Sequence, residues 1–173
     1  MICLKGPLAL VLVLFLFFGI SAAPAASADE EVFLIVNKAN NQLAVAENGK
    51  ILEIVSAGTG KSNEDTPEGA FTIKVKAVNP YYRNRDIEGG DPANPLGTRW
   101  IGFDAEETDG RRYGIHGTNR PESIGKYMSN GCIRLLNEDV ERIYEMVPVG
   151  GRVFILSSDK SFAALAKDLS NVQ

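Results

Sequence analysis

Residues 32–57 read VFLIVNKANNQLAVAENGKILEIVSA, and this stretch predicts three consecutive β-strands. Val32 to Val36 is a β-branched, apolar run, and the Asn40-Asn41 pair after it is typical of a turn. The next run alternates weakly between polar and apolar side chains. Asn48-Gly49 is the strongest short signal for a two-residue hairpin, and residues 51–57 continue as a strand. The stretch therefore predicts a three-stranded meander.

The rest of the chain continues this β-rich pattern. Residues 71–76 alternate clearly, which predicts that Phe71, Ile73 and Val75 face the core while the other three residues, Thr72, Lys74 and Lys76, point outward. Further strands are predicted at residues 99–103, 112–116 and 151–156. Residues 79–98 are interrupted by prolines and glycines, and a loop of this length in a compact domain is usually a functional lid or is disordered.

Two helices are predicted in the C-terminal part of the chain. Residues 137–146 form the clearer one, with Asn137 placed to cap it. Its apolar residues fall on one face: Val140, Ile143, Tyr144 and Val147. Residues 161–169 predict a short second helix. We therefore expect a mainly β chain with one or two short helices.

The N-terminus has the three parts of an export signal. Lys5 supplies a short positive region, residues 8–20 form an apolar run that is short for a membrane span, and Ala26-Ser27-Ala28 fits the cleavage pattern. Residues 1–28 are therefore predicted to be a signal peptide, and residues 29–173 a single mature domain. The alternative is a retained N-terminal anchor.

The composition excludes some functions and singles out one thiol. The chain has 18 basic and 22 acidic residues without a basic stripe, which argues against nucleic acid as a partner. Cys3 lies in the predicted leader, so the mature chain would retain Cys132 alone and have no internal disulfide. A lone thiol in an exported protein is an intermolecular pair, an inert buried residue or a reactive nucleophile.

Cys132 and His116 are the candidate catalytic residues. A thiolate is the nucleophile of cysteine chemistry, and it needs a nearby base or positive charge. His116 is the only imidazole in the chain, so a Cys–His pair must join these two residues. Arg134 lies two residues beyond the thiol, where in a strand it shares a side with Cys132 and either favours the thiolate or holds an anionic substrate group.

The glycines and serine around this pair have plausible chemical uses. Gly131 lets a substrate carbonyl approach the backbone, where the amides of Gly131 and Cys132 stabilise an oxyanion. Gly117 keeps the space beside the imidazole small, and its carbonyl or one nearby could orient the ring. Ser129 could hydrogen-bond to His116 or to the loop backbone. A buried structural cysteine beside a structural histidine explains the same residue types, so both readings stay open at this point.

The motif His116-Gly117-Thr118, followed by residues 129–134 (SNGCIR), closely resembles the signature of the L,D-transpeptidase catalytic domain, the YkuD domain. The resemblance covers roughly residues 31–157 and includes the stretches at 58–61, 66–71, 94–97, 137–140 and 147–153. It implies a YkuD-type domain, a β-sandwich or barrel-like single domain with a cysteine nucleophile and no metal or organic cofactor.

The resemblance also implies a reaction. Cys132 would attack a peptidoglycan stem tetrapeptide before its terminal D-alanine, and His116 would move the protons. An amine of another stem would then resolve the thioester and give a 3→3 crosslink. Such a pair predicts that activity falls at low pH as it becomes fully protonated. The positions that match the substrate-binding part of the motif are Gly131, Arg134, Ser129, Gly117, Asn130 and Thr118.

Several alternatives remain within this interpretation. If water resolved the thioester, the enzyme would be an L,D-carboxypeptidase. A protein lysine could instead be the acceptor, which would attach that protein to the wall. The chain could also be a wall-binding module with no turnover. Carbapenem inhibitors are expected to acylate Cys132. Asn130 stands where many members have histidine, and the loop with Tyr81, Tyr82, Arg83 and Arg85 is either a wall contact or a solvated surface segment. We expect a monomer in the periplasm or at the outer face of the cell wall.

Overall fold

The computed structural model describes residues 32–62 and 65–170. The predicted signal peptide, residues 1–28, lies outside the described residues. Within the described ranges, none of the helices has the length and apolar character that crossing a membrane requires.

The described residues form a mainly β domain with two α-helices, which confirms the predicted fold class. The strands are β1 (Val32–Asn37), β2 (Gln42–Glu47), β3 (Lys50–Ser56), β4 (Thr59–Gly60), β5 (Gly69–Val78), β6 (Arg99–Phe103), β7 (Tyr113–His116), β8 (Tyr127–Ser129), β9 (Ile133–Arg134) and β10 (Arg152–Leu156). The helices are α1 (Asn137–Met146) and α2 (Phe162–Leu169).

Eight of these strands form one sheet in the order β3-β2-β1-β10-β5-β6-β7-β9, and β4 pairs with β8 in a separate two-stranded sheet. The β1–β10 and β7–β9 pairs are parallel, and the other pairs of the large sheet are antiparallel. The predicted meander is present as β1, β2 and β3. The chain between β3 and β5 runs to the other end of the sheet, where β4 lies beside β9 and pairs with β8.

The sheet is buried on both faces along β1, which explains the unbroken apolar run that opens this strand. Leu34 and Val36 belong to the main core, where α1 also packs. Phe33 and Ile35 face the opposite side and pack against α2. Full burial of one such side chain contributes about 1.5–3 kcal/mol, so α2 is a substantial part of the fold.

The prediction that Val75 faces the core is wrong, although Phe71 and Ile73 do pack there. The pairing of β5 with β6 shifts register between Ile73 and Val75. A β-bulge of this kind inserts one residue and reverses the alternation beyond it. Val75 consequently lines a cavity on the other face.

Lys76, predicted to point outward, takes the opposite side after this bulge. Its ammonium donates to the carbonyls of Tyr144 (2.6 Å) and Val147 (2.7 Å) at the C-terminal end of α1. A cation is favourable there because helix C-terminal carbonyls carry partial negative charge. The bulge thus supplies a stabilising contact to α1 and leaves the other sheet face to the cavity.

Candidate active site

The face of the sheet away from the main core carries the predicted site. His116 ends β7 and pairs with Trp100 on β6 and with Arg134 on β9. Paired positions share a sheet face, so these three residues form one row across three strands. Cys132 precedes β9 and lines the same cavity, of about 590 Å³, as His116 and Arg134. The fold therefore brings the thiol and the imidazole into one cavity.

His116 is held by a hydrogen bond along its edge. Its Nδ1 lies 2.6 Å from the carbonyl oxygen of Gly117. A carbonyl only accepts, so Nδ1 carries the proton and Nε2 the lone pair. Burial lowers the pKa of His116 to about 4, and the charge of Arg134 acts in the same direction, while the carbonyls of Gly117 and Leu96 oppose it. At neutral pH the imidazole is a neutral base.

Cys132 is half-buried, and its thiol donates to the carbonyl oxygen of Arg112 at 3.6 Å. Burial raises the pKa of this thiol, against the opposing effects of the Gly114 backbone and the Arg134 charge. Cys132 is therefore a neutral thiol at neutral pH. A neutral thiol can act as a nucleophile only if its proton leaves as it attacks, and a neutral imidazole in the same cavity is a base that could accept that proton.

The loop before Cys132 is held from two directions. Ser129 Oγ accepts the Gly131 N–H at 3.1 Å, so of its two predicted partners Ser129 takes the loop backbone. Buried Thr66 donates its hydroxyl to the Gly131 carbonyl at 3.0 Å and accepts the Gly60 N–H at 3.0 Å. Gly131 has a φ of +121°, and a Cβ there would lie 2.5 Å from the Asp65 carbonyl oxygen. Only glycine fits, and its amide is engaged by Ser129 in this structure.

The loop after His116 is held by Asn137. The predicted cap role of Asn137 is wrong, because Leu136 is the N-cap residue of α1 and no side-chain hydrogen bond caps the N-terminus of this helix. The side-chain oxygen of Asn137, Oδ1, instead accepts hydrogen bonds from the backbone N–H groups of Thr98 (3.3 Å) and Thr118 (3.1 Å). A Cβ on Gly117 would lie 2.1 Å from this oxygen.

Thr118 belongs to this support and is not among the residues that line the cavity. It is buried, and its hydroxyl oxygen accepts the Arg120 N–H at 3.0 Å. Asn130, in contrast, lines the cavity and is exposed at its rim. The Lys61 ammonium donates to the Asn130 side-chain oxygen at 3.2 Å. The predicted substrate-binding residues therefore divide into lining residues and supports.

Residues 79–98 form one wall of the cavity. The amide of buried Asn94 donates to the carbonyls of Pro80 (2.8 Å) and Glu88 (3.1 Å), which ties the two ends of this loop together. Its lining residues are Pro80, Tyr81, Tyr82, Arg83, Asn84, Pro95 and Leu96. The sequence left the role of this loop open. In the structure, part of the loop contacts the site.

The cavity is positively charged. Arg83, Arg111, Arg112 and Arg134 line it, and none of its described lining residues is a carboxylate. Arg111 is paired with Asp109, and Arg112 lies 3.6 Å from Glu106. Guanidinium groups recognise carboxylates well because their paired donors match the two oxygens. The lining therefore suits a ligand with free carboxylates.

The supporting roles of three residues were not predicted from the sequence, and these residues are Trp100, Thr66 and Asn137. The Trp100 indole stacks on the imidazole of His116, with ring centroids 5.5 Å apart. One signal was available, because Gly102 and Gly114 interrupt predicted strands and such glycines often mark close approach of another group. The bonds from Thr66 to Gly131 and from Thr98 and Thr118 to Asn137 join residues that are distant in sequence, so no local signal indicated them.

Comparisons with known proteins agree with this architecture. The family model of the L,D-transpeptidase catalytic domain, YkuD, matches residues 31–155. The Bacillus subtilis protein YqjB, named as an L,D-transpeptidase, is 56% identical over 134 residues, which cover 78% of this chain and 76% of that protein.

Two solved structures share the fold at low sequence identity. An L,D-transpeptidase from Mycobacterium smegmatis is 23% identical with a TM-score of 0.57, over 73% of this chain and 58% of that one. L,D-transpeptidase 3 from Mycobacterium tuberculosis, in complex with a faropenem-derived adduct, is 19% identical with a TM-score of 0.58, over 74% and 61%. The chain thus spans about three fifths of each solved structure.

The fold and site together define a mainly β domain that presents one thiol and one imidazole in a common cavity. With the family model matched over most of its length, the chain belongs to the L,D-transpeptidase catalytic-domain (YkuD) family of enzymes.

Proposed function

We propose that this chain is a peptidoglycan L,D-transpeptidase that uses Cys132 as nucleophile and His116 as general base. The observation that carries the proposal is the common cavity of these two residues, with the imidazole held by Gly117 so that Nε2 is its basic nitrogen. The membership of the chain in the L,D-transpeptidase family supports the same chemistry.

In the acylation half-reaction the Cys132 thiol gives its proton to Nε2 of His116 as the sulfur approaches the substrate. The thiolate attacks the carbonyl between the third stem residue and the terminal D-alanine, and the C–N bond breaks as Nε2 returns the proton to the leaving amine. The product is a thioester. A neutral imidazole is suited to this role because its Nε2 holds no proton until the thiol supplies one.

Deacylation reverses the proton path with a new nucleophile. A side-chain amine of a second stem attacks the thioester, His116 accepts its proton, and the Cys132 sulfur leaves and recovers that proton. The result is the 3→3 crosslink. Arg83 and Arg134 supply positive charge for the stem carboxylates, since stem peptides carry several of them.

Capture by β-lactams and an exported location are further parts of the proposal. The structural neighbour with a faropenem-derived adduct and a further L,D-transpeptidase structure in complex with imipenem, which is a carbapenem, support a carbapenem as a probe of Cys132. The leader pattern in residues 1–28 supports export to the periplasm or the outer face of the wall, where peptidoglycan lies.

The test combines an intact-mass measurement with a turnover assay. We expect one carbapenem adduct on the wild type and none on Cys132→Ala. With a tetrapeptide donor and an amine acceptor we expect a crosslinked product that His116→Gln reduces by about 10²–10⁴-fold. Tripeptide as the sole product would replace the transpeptidase with a carboxypeptidase, and the absence of both adduct and product would leave a wall-binding module. A lysine-containing acceptor protein, run in parallel, would reveal attachment of protein to the wall.

A further inference from the structure

We propose that Trp100 is a positioning residue of this site, which sets the plane and the protonation state of His116 by stacking on its face. The proposal rests on the proposed function only for its rate measurement, because the imidazole can also be observed directly.

Trp100 and His116 are direct cross-strand partners in the β6–β7 pair. Such pairs place two side chains side by side on one sheet face. Their rings lie 5.5 Å apart at an interplanar angle of 16°, a stacked arrangement. The indole therefore covers one face of the imidazole, and His116 is only 4% exposed.

The indole is fixed independently of His116. Its Nε1 donates to the carbonyl oxygen of Gly110 at 2.9 Å. Its six-membered ring lies over Gly114, where a Cβ would be 2.6–2.8 Å from three indole carbons. A Cβ on Gly102 would likewise lie 2.5 Å from Nε1. The two glycines thus leave a flat surface on the sheet against which the indole packs, and the hydrogen bond from Nε1–H fixes the indole there.

The imidazole has two constraints as a consequence. The Gly117 carbonyl holds its Nδ1 edge, and the Trp100 ring holds its face. The hydrogen bond alone leaves the ring free to tilt about the Nδ1–O axis, and the stack removes that freedom. Burial is the main cause of the lowered pKa of His116, and the stacked indole is one of the groups that bury the ring.

The other groups that act on this imidazole are known from the structure. Arg134 on β9 carries the charge that acts on His116, and the Leu96 carbonyl favours its protonated form. The cavity is lined by further ionisable side chains, which are Cys132, Tyr81, Tyr82, Arg83, Arg111 and Arg112. None of these groups changes when Trp100 is replaced, so a shift in the His116 titration reports the loss of the stack.

The experiment follows His116 by NMR in a Cys132→Ala background, where turnover plays no part. His116 is the only imidazole of the chain, so its ring signals are unambiguous. Trp100→Leu keeps an apolar side chain and removes the stack, and Trp100→Phe keeps a ring and removes the indole N–H. Gly114→Ala places a methyl group against the indole and displaces it while Trp100 itself is unchanged. Phe71→Leu is the matched control, because Phe71 stacks on Phe103 at 5.4 Å outside the cavity.

With Trp100→Leu and Gly114→Ala we expect the pKa of His116 to rise from about 4 towards 6.5 and the Nδ1–H tautomer to lose its dominance. Trp100→Phe should stay close to the wild type. With Cys132 present, carbapenem acylation should slow by about 10²-fold for Trp100→Leu and by less than about tenfold for Trp100→Phe. Phe71→Leu should change neither measurement.

Unchanged His116 titration and tautomer in a folded Trp100→Leu or Gly114→Ala protein would overturn the proposal. If Trp100→Leu fails to fold, the Gly114→Ala result decides the question. An enzyme that proves to be a hydrolase, or to have no turnover, would leave the titration result standing, so the two failures are distinguishable.

Discussion

The Nδ1 atom of His116 and the carbonyl oxygen of Gly117 lie 2.6 Å apart, and this contact between neighbours in sequence sets the tautomer of the only imidazole in the chain. It takes the place of the carboxylate or amide that orients the histidine in many catalytic triads. A carbonyl oxygen has only a partial negative charge and stabilises an imidazolium less than a carboxylate does. Burial therefore dominates, and the pKa of His116 is lowered to about 4.

The acid limb of the pH–rate profile should consequently lie near pH 4 and not near 6.5. A base is active only when unprotonated, so a lowered pKa extends activity into mildly acidic solution and activity falls as pH drops through the lowered pKa. The sequence predicted that activity falls at low pH, and the structure places this fall at a more acidic pH. The second-order rate of carbapenem acylation between pH 3.5 and 8 measures this limb. A midpoint at 6 or above would contradict a buried His116 as the base.

Arg134→Gln should raise the pKa of both His116 and Cys132. The charge of Arg134 disfavours the imidazolium of His116 and favours the thiolate of Cys132, so its removal makes each group hold its proton more tightly. We expect the acid limb to move upward and thiol alkylation to need a higher pH than in the wild type. Arg120→Gln removes an exposed charge outside the cavity and should shift neither value. Opposite shifts in the two groups would argue against Arg134 as the shared charge.

Asn137→Ala should destabilise the domain and slow the reaction. The change removes the oxygen that accepts the Thr98 and Thr118 amides, and unpaired buried N–H groups cost about 1–3 kcal/mol. Chemical denaturation measures the free energy of unfolding, and carbapenem acylation measures the site. Asn137→Asp retains an acceptor oxygen and should recover most of the loss. Asn119→Ala, which removes an exposed bond to Ala93, should have little effect on either quantity.

Thr66→Val should loosen the loop that carries the thiol. It keeps the shape of the side chain while removing the hydroxyl that joins Gly60 to Gly131. We expect a loss of about 1–3 kcal/mol in the free energy of unfolding and a slower acylation, with Thr66→Ser close to the wild type. Thr108→Val removes a hydroxyl bond to Ala105 away from the cavity and is the control for the substitution itself. Equal acylation rates in the two valine variants would show that Thr66 does not hold the loop that carries Cys132.

Most of the fold was predictable because strand patterns are local. The meander of β1 to β3 follows from apolar runs separated by Asn40-Asn41 and Asn48-Gly49, and the structure has strands at these places. Val75 was misplaced because the bulge in β5 depends on how β6 pairs with it. Alternation within one strand contains no information about a register shift against another strand.

The candidate catalytic pair was predictable for a different reason, which is scarcity. A chain with one histidine and one cysteine outside its leader offers one Cys–His pair, and the motif resemblance pointed to the same two residues. Their supports were not predictable. Trp100 read only as part of a strand, and Asn137 read as a helix cap, because an isolated helix start is the local use of asparagine.

By itself, the sequence determined the β-rich class, the identity of the thiol and the imidazole, and the family to which they belong. Only the tertiary structure decided how these groups are held. The protonation states of Cys132 and His116 depend on burial and on the Arg134 charge, and the orientation of His116 depends on Gly117 and Trp100. Desolvation and ring stacking arise between residues that only folding brings together, so no local pattern encodes them.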